Sequence, residues 1–144
     1  MTRLWFPLVV LALSSSVFAD GAGDRAKLAG DWQPQDNSGP SWVVQNNADN
    51  VRITRLDNGQ KVADYECNTM GRDCDAKING RSGKVSMWYS GAILIVMETR
   101  GTEIVERHLR ADGDKLEIEV LPIVPERRHE TLKLIRRTDT TARR

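Results

Sequence analysis

The chain has 144 residues, with 21 lysines and arginines against 20 aspartates and glutamates, and its formal net charge is +1. This length suits one domain with a single core and is short for two. A nucleic-acid-binding domain usually carries a basic excess, so the balanced charge argues against such a partner.

Residues 1–19 have the pattern of a secretory signal peptide. Arg3 gives a short basic segment, an apolar run follows, and small residues precede Asp20 as they do at a cleavage site. We therefore predict a periplasmic or secreted protein with no stable membrane insertion after cleavage. An uncleaved anchor is the alternative, although the apolar run is short for a bilayer. Without Arg3 the chain keeps 21 − 1 = 20 basic and 20 acidic residues, so the exported protein would be near neutral.

The residues from 28 to 137 show the period-two alternation that is typical of half-buried β-strands. In KLEIEVL, for example, Leu116 and Ile118 share one face, and the glutamates between them share the other. Strands are predicted at 28–34, 41–46, 50–56, 61–67, 74–79, 84–90, 92–99, 103–110, 115–121 and 129–137. This β domain, 28–137, follows an N-terminal extension, 20–27, and precedes a disordered basic tail, 138–144.

Turn signals such as Asn79-Gly80 separate these runs and suit tight hairpins. Many short strands joined by tight turns predict an all-β fold, an antiparallel up-and-down β-barrel of about 8–10 strands. Closure into a barrel would remove the exposed strand edges and bury the inward side chains. A two-sheet β-sandwich is the alternative.

The run AILIVM, residues 92–97, breaks the alternation because it is apolar on both faces. A strand of this kind needs cover on both sides. The face formed by Ile93, Ile95 and Met97 is covered either by the extension, 20–27, or by a second copy of the chain in a homodimer.

The chain has two cysteines, Cys67 and Cys74, which enclose the turn-forming sequence NTMGRD. In an oxidising compartment two such thiols usually pair, so a disulfide is predicted. The alternatives are a redox pair, or a metal site that includes His108 and His129. The spacing is not Cys-x-x-Cys and matches no common zinc pattern, so no metal is predicted.

LAGDW, residues 28–32, resembles the Gly-x-Trp signature on the first strand of lipocalins. In that family the tryptophan plugs one barrel end and an arginine from the last strand lies across its ring. The resemblance implies these roles for Trp32 and Arg136. With NTMGRD, MWYSGAILIV and VERHLRADGDKLEIEV, the layout over residues 26–137 is similar to small exported bacterial lipocalin-like (calycin-type) barrels. It implies a fold more than an activity.

Three aromatic residues, Trp42, Trp88 and Tyr89, are candidates for the wall of a ligand cavity. Because Trp88 and Tyr89 are adjacent on a strand, only one of them can face inward. The alternative is that they fill a packed core. No catalytic constellation, phosphate loop or cofactor motif is recognisable, so neither an enzyme nor a cofactor is predicted.

Two functions therefore fit the sequence. The first is binding of a small apolar or amphipathic ligand inside the barrel. The second is a non-catalytic interaction or scaffold role for a barrel with a filled core.

Overall fold

The computed structural model describes residues 20–137, so the predicted signal peptide, 1–19, and tail, 138–144, lie outside the described residues. Helix α1 (Asp20–Ala26) comes first. Ten strands follow: β1 (Gly30–Pro34), β2 (Ser41–Asn47), β3 (Asn50–Asp57), β4 (Gln60–Asn68), β5 (Cys74–Ile78), β6 (Arg81–Ser90), β7 (Ile93–Arg100), β8 (Glu103–Asp112), β9 (Lys115–Val124) and β10 (Glu130–Arg136). Among these residues, no helix combines the length and apolar character needed to cross a membrane.

The ten strands form one closed barrel. Each strand pairs antiparallel with the next, and β1 pairs with β10, where Trp32 lies opposite Arg136. The predicted all-β up-and-down barrel is confirmed, and its closure is incompatible with two separate sheets. Each predicted strand coincides with one observed strand, although β6 begins earlier than predicted, because the polar residues 81–83 extend the ladder with β5.

The middle of the barrel is filled by side chains. Inward residues of successive strands form one core, and several have no accessible surface at all: Ile53, Met87, Leu94, Val96, Leu109 and Ile118 are 0% exposed. A void wide enough for a water molecule would leave accessible surface on its walls. These six side chains therefore border no such void, and this layer is packed like a protein core.

One end of the barrel is closed around Trp32, which is 0% exposed. Its Nε1 donates a hydrogen bond to the carbonyl of Leu28 at 3.0 Å. The guanidinium carbon of Arg136 lies 4.2 Å from the ring centroid, and its nitrogens donate to the carbonyls of Ala29 and Lys27 at 2.8 and 2.9 Å. The stacked cation thus ties the last strand to the segment before β1. We call this arrangement the closed end.

Gly30 makes the closed end sterically possible. Its φ is +152°, and a Cβ built there would lie 2.3 Å from Nη1 of Arg136. Any larger residue would displace the guanidinium. The close packing of Arg136 therefore requires a glycine two positions before Trp32.

Helix α1 also lies against the closed end. The guanidinium carbon of Arg25 is 4.4 Å from the ring centroid of Tyr89, and its Nε donates to the carbonyl of Gly91 at 3.0 Å. These two contacts of Arg25 join the helix to the barrel.

The seam between β4 and β5 has a short backbone ladder, with only Ala63 opposite Ile78 and Asp64 opposite Lys77 among the paired residues. Continuing this register places Cys67 opposite Cys74. The predicted disulfide is present at that point, with a Cα–Cα distance of 5.7 Å, within the usual range for such bonds. The disulfide therefore holds the two strands together where backbone pairing has ended.

Removing this disulfide is expected to destabilise the barrel measurably. A double variant, Cys67→Ala with Cys74→Ala, should lose about 2–3 kcal/mol of unfolding free energy, because the unfolded chain regains the entropy of a short loop. Urea denaturation of the variant and the oxidised wild-type protein measures the difference. Dithiothreitol should lower the stability of the wild type and leave the variant unchanged. Equal midpoints for all three samples would contradict a stabilising role.

Candidate functional site

The interior near the opposite end of the barrel carries charged side chains. This end is formed by the turns at 58–59, 79–80 and 101–102. Alternation continues the apolar inward face of β3 to Arg55 and that of β7 to Glu98. The side chains of Arg55, Glu98 and Arg107 are 9%, 6% and 14% exposed. Together with Tyr65 from β4 and Trp42 from β2 they form a group that we call the charged cluster.

Glu98 lies at the centre of the charged cluster. Its Oε1 accepts a hydrogen bond from the Tyr65 hydroxyl at 2.8 Å and lies 2.9 Å from Nη2 of Arg55. Its Oε2 lies 2.7 Å from Nη1 of Arg107. The guanidinium carbons of Arg55 and Arg107 are 5.2 and 5.8 Å from the Trp42 ring centroid, so both cations also face an aromatic ring.

The ionisation states follow from these contacts. Burial alone would raise the pKa of Glu98, but the charges of Arg107 and Arg55 and the Tyr65 hydroxyl outweigh it, and the pKa lies below its ordinary value. Burial, reinforced by the charge of Glu98, raises the pKa of Tyr65, which therefore remains a protonated donor. At neutral pH the cluster holds two cations and one anion.

Beside the loop between β1 and β2, the barrel has a cleft of about 310 Å3, which we call the rim cleft. It is lined by Pro34, Gln35, Asp36, Ser38, Gly39, Pro40, Thr131, Leu132, Lys133 and Leu134. Leu134 is buried, and Leu132 packs against the core. A larger cleft of about 600 Å3 follows the outer side of the β4–β5 seam, but it is shallow and rich in charged groups.

No model of a protein family matches the sequence, and no curated protein matches it either. Solved structures do resemble the barrel. A secretory abundant heat soluble protein of Ramazzottius varieornatus has a TM-score of 0.65 at 11% identity, over 77% of this chain and 96% of that one. The likeness is one of fold.

Two further barrels have fatty acids in their names. A protein described as the REP1-NXSQ fatty acid transporter has a TM-score of 0.65 at 15% identity, over 78% of this chain and 98% of that one. A Schistosoma mansoni fatty acid binding protein in complex with arachidonic acid has a TM-score of 0.63 at 14% identity, over 81% and 100%. The likeness to these structures confirms the predicted lipocalin-like fold.

The three aromatic residues predicted to bind a ligand do not meet. Trp42 is in the charged cluster, and Tyr89 lies under Arg25 at the closed end. Trp88 is half-buried on the outer face, and its backbone pairs with that of Met70 in an isolated antiparallel β-bridge. None of the three lines the rim cleft or the larger cleft along the β4–β5 seam. Their role in ligand binding stays a prediction.

The outward residues of β7 are only partly covered. Ile93, Ile95 and Met97 are each half-buried on the outer face, opposite the buried residues of the same strand. Their role in a homodimer also stays a prediction.

The charged cluster was not predicted from the sequence, although the sequence contains a signal for it. Arg55 has the same parity as the inward residues Val51 and Ile53, and Glu98 has the same parity as Leu94 and Val96. A charge at an inward position of a barrel strand is unusual and points to a partner across the interior.

A second carboxylate with a shifted pKa lies on the outer face near the β4–β5 seam. Asp64 accepts hydrogen bonds from Nε and Nη2 of Arg52 at 3.0 and 2.8 Å and from the Thr54 hydroxyl at 3.1 Å. The Arg52 hydrogen bond is the main reason why the pKa of Asp64 falls from 3.8 to about 2. Because the folded pKa is the lower one, the stabilisation is complete above pH 3.8 and is lost as the pH falls to about 2.

Asp64→Asn should therefore lower the unfolding free energy by about 1 kcal/mol at neutral pH, a value reduced because the pair is partly exposed. It should also flatten the loss of stability below pH 3.8. Urea denaturation over a pH series measures both effects. Asp75→Asn, at an exposed carboxyl, is the control. Identical pH profiles for the two variants would contradict the assignment.

Proposed function

We propose that the protein is an exported, non-catalytic barrel that binds a small apolar or amphipathic ligand in the rim cleft. The observation that carries the proposal is the cleft itself, whose volume of about 310 Å3 is in the range of small-molecule sites. Fold neighbours described as fatty acid binding or transporting proteins support the ligand class. The pattern of residues 1–19 supports export.

The packing of the barrel favours the rim over the centre as the place where a ligand binds. The central side chains border no water-sized void, so a ligand placed there would have to displace core residues. In the rim cleft, Pro34, Pro40, Leu132 and Leu134 already offer apolar surface, and Lys133 adds a cation. A preformed apolar surface binds a ligand with a small ordering cost.

Fluorescence titration of the purified protein with dodecanoate and a hydrophobic dye tests the proposal. Saturable binding is expected, and Leu132→Glu should weaken it at least about tenfold, because a ligand would then bury a carboxylate. Ile123→Glu, an exposed site on β9 outside the rim cleft, is the matched control and should bind like the wild type. No saturable binding, or equal binding by both variants, would rule out the rim cleft.

The filled centre also favours a second function, a scaffold or interaction role. In that case Ile93, Ile95 and Met97 would form the contact between two copies. Sedimentation velocity separates the alternatives: a dimer that becomes monomeric in an Ile93→Asp, Ile95→Asp variant supports the scaffold role, and a monomer in both cases opposes it.

Export has its own test. Mass spectrometry of the protein recovered from the periplasm or medium of an expressing bacterium should find Asp20 at the N-terminus. Recovery of a chain that still begins at Met1, in the membrane fraction, would support the uncleaved anchor.

A further inference from the structure

We propose that the charged cluster binds a small anion with the chemistry of a carboxylate or halide. The site is a cavity of about 60 Å3 at the charged end of the barrel. Its walls are Arg55, Ile78, Asn79, Glu98, Arg100, Glu103, Val105 and Arg107. None of these residues lines the rim cleft, so the inference goes beyond the proposed function.

The first argument is charge. Arg55 and Arg107 remain protonated in a protein, and one carboxylate, Glu98, lies between them. Arg100 and Glu103, the other charged residues of the wall, neutralise each other at 2.8 Å. The interior therefore holds one uncompensated positive charge, and burying such a charge is unfavourable unless an anion pairs with it.

The second argument is hydrogen bonding. Among residues 20–137, Arg55 Nε is a buried donor in the wall of this cavity that has no hydrogen-bond partner. Trp42 Nε1 also has no partner, but Trp42 does not line the cavity. Arg107 Nη1 lies 2.7 Å from Oε2 of Glu98, so that carboxylate already pairs with it. Both unsatisfied groups, Arg55 Nε and Trp42 Nε1, are donors, so the missing hydrogen-bond partner of the cluster is an acceptor.

The third argument is size. A cavity of about 60 Å3 has room for a few water molecules or one small anion. Chloride, formate and acetate are compatible with that space, whereas a sugar acid such as gluconate is too large. Anions that fit the cavity can therefore be compared with gluconate, which does not fit.

The experiment measures the thermal unfolding midpoint and tryptophan fluorescence of the purified protein in sodium acetate, chloride and gluconate at equal ionic strength. A saturable rise of the midpoint is expected with acetate or chloride and not with gluconate. Arg55→Met should weaken the response at least about tenfold, because it removes one charged donor group. Arg110→Met, at an exposed arginine outside the cavity, should respond like the wild type.

A second variant should change affinity in the opposite direction. Glu98→Gln raises the charge of the cluster from +1 to +2 and should tighten acetate binding at least about tenfold. A general loss of structure cannot produce opposite changes in the two variants. Equal midpoints in all three salts for the wild type would overturn the proposal and indicate that water satisfies the donors. Equal responses of Arg55→Met and Arg110→Met would overturn it as well.

A free anion and the headgroup of an amphiphile share this chemistry, and competition separates them. If dodecanoate displaces acetate, the site takes headgroups; if both bind together, it takes free anions. Leu132→Glu tests independence from the proposed function, since it should weaken binding in the rim cleft and leave the acetate response intact. A failure of one proposal is therefore distinguishable from a failure of the other.

Discussion

Glu98→Ala is expected to lower the free energy of unfolding by about 3–5 kcal/mol, because it leaves two buried guanidinium groups without their anion. Glu98 is 6% exposed and contacts Arg55 at 2.9 Å and Arg107 at 2.7 Å. The variant also takes the acceptor away from the buried Tyr65 hydroxyl. Each of these losses exposes an uncompensated polar group to a low-dielectric interior, so their effects combine.

Urea denaturation measures this loss, and Glu103→Ala is the matched control. Glu103 is also paired with an arginine, Arg100, but its side chain is 49% exposed, so its removal should cost less than about 1 kcal/mol. A triple variant with Arg55→Met, Glu98→Leu and Arg107→Met should recover most of the stability, since a fully apolar replacement leaves no charge unpaired. Equal losses for Glu98→Ala and Glu103→Ala would contradict the importance of burial.

The barrel itself was predictable because the sequence features that specify its strands and turns are local. Alternation in short runs such as 115–121, with turn residues between them, determines where strands form and which side faces inward. Closure then follows from the same alternation, because ten amphipathic strands that meander can bury their apolar faces and edges by joining β1 to β10. The disulfide was predictable for a similar reason, since its cysteines are seven positions apart.

The charged cluster was not predictable because it depends on distances across the barrel. Arg55 on β3 and Glu98 on β7 are separated by three strands in the sheet order, and they meet only through the interior. Local alternation shows that both side chains point inward, but it does not give the register of strands that are not neighbours. The choice of Trp42, Trp88 and Tyr89 as candidates for a ligand wall used side-chain type, which does not show where along the barrel each one lies, and their role in ligand binding stays a prediction.

Trp32→Ala should cost about 3–5 kcal/mol of unfolding free energy, the range for removal of a large buried aromatic side chain. Trp32 is 0% exposed at the closed end. Its loss would leave a cavity and remove the hydrogen bond to the Leu28 carbonyl. It would also take the ring from beneath the Arg136 guanidinium, which links β10 to the segment before β1. The substitution therefore weakens the contacts that join the first and last parts of the barrel.

Trp88→Ala is the control, because Trp88 is the same residue type on the outer face and is only half-buried. Its removal should cost less than half as much, as little core volume is lost. Arg136→Met tests the contribution of the cation while the Trp32 ring is kept. If the arginine holds Trp32 in place, this variant should lose roughly 1–2 kcal/mol of unfolding free energy, because the carbonyl contacts and the cation–π pairing are lost. Guanidinium denaturation followed by circular dichroism compares the three variants. Equal costs for Trp32→Ala and Trp88→Ala would show that the closed end depends on total apolar area and not on a specific plug.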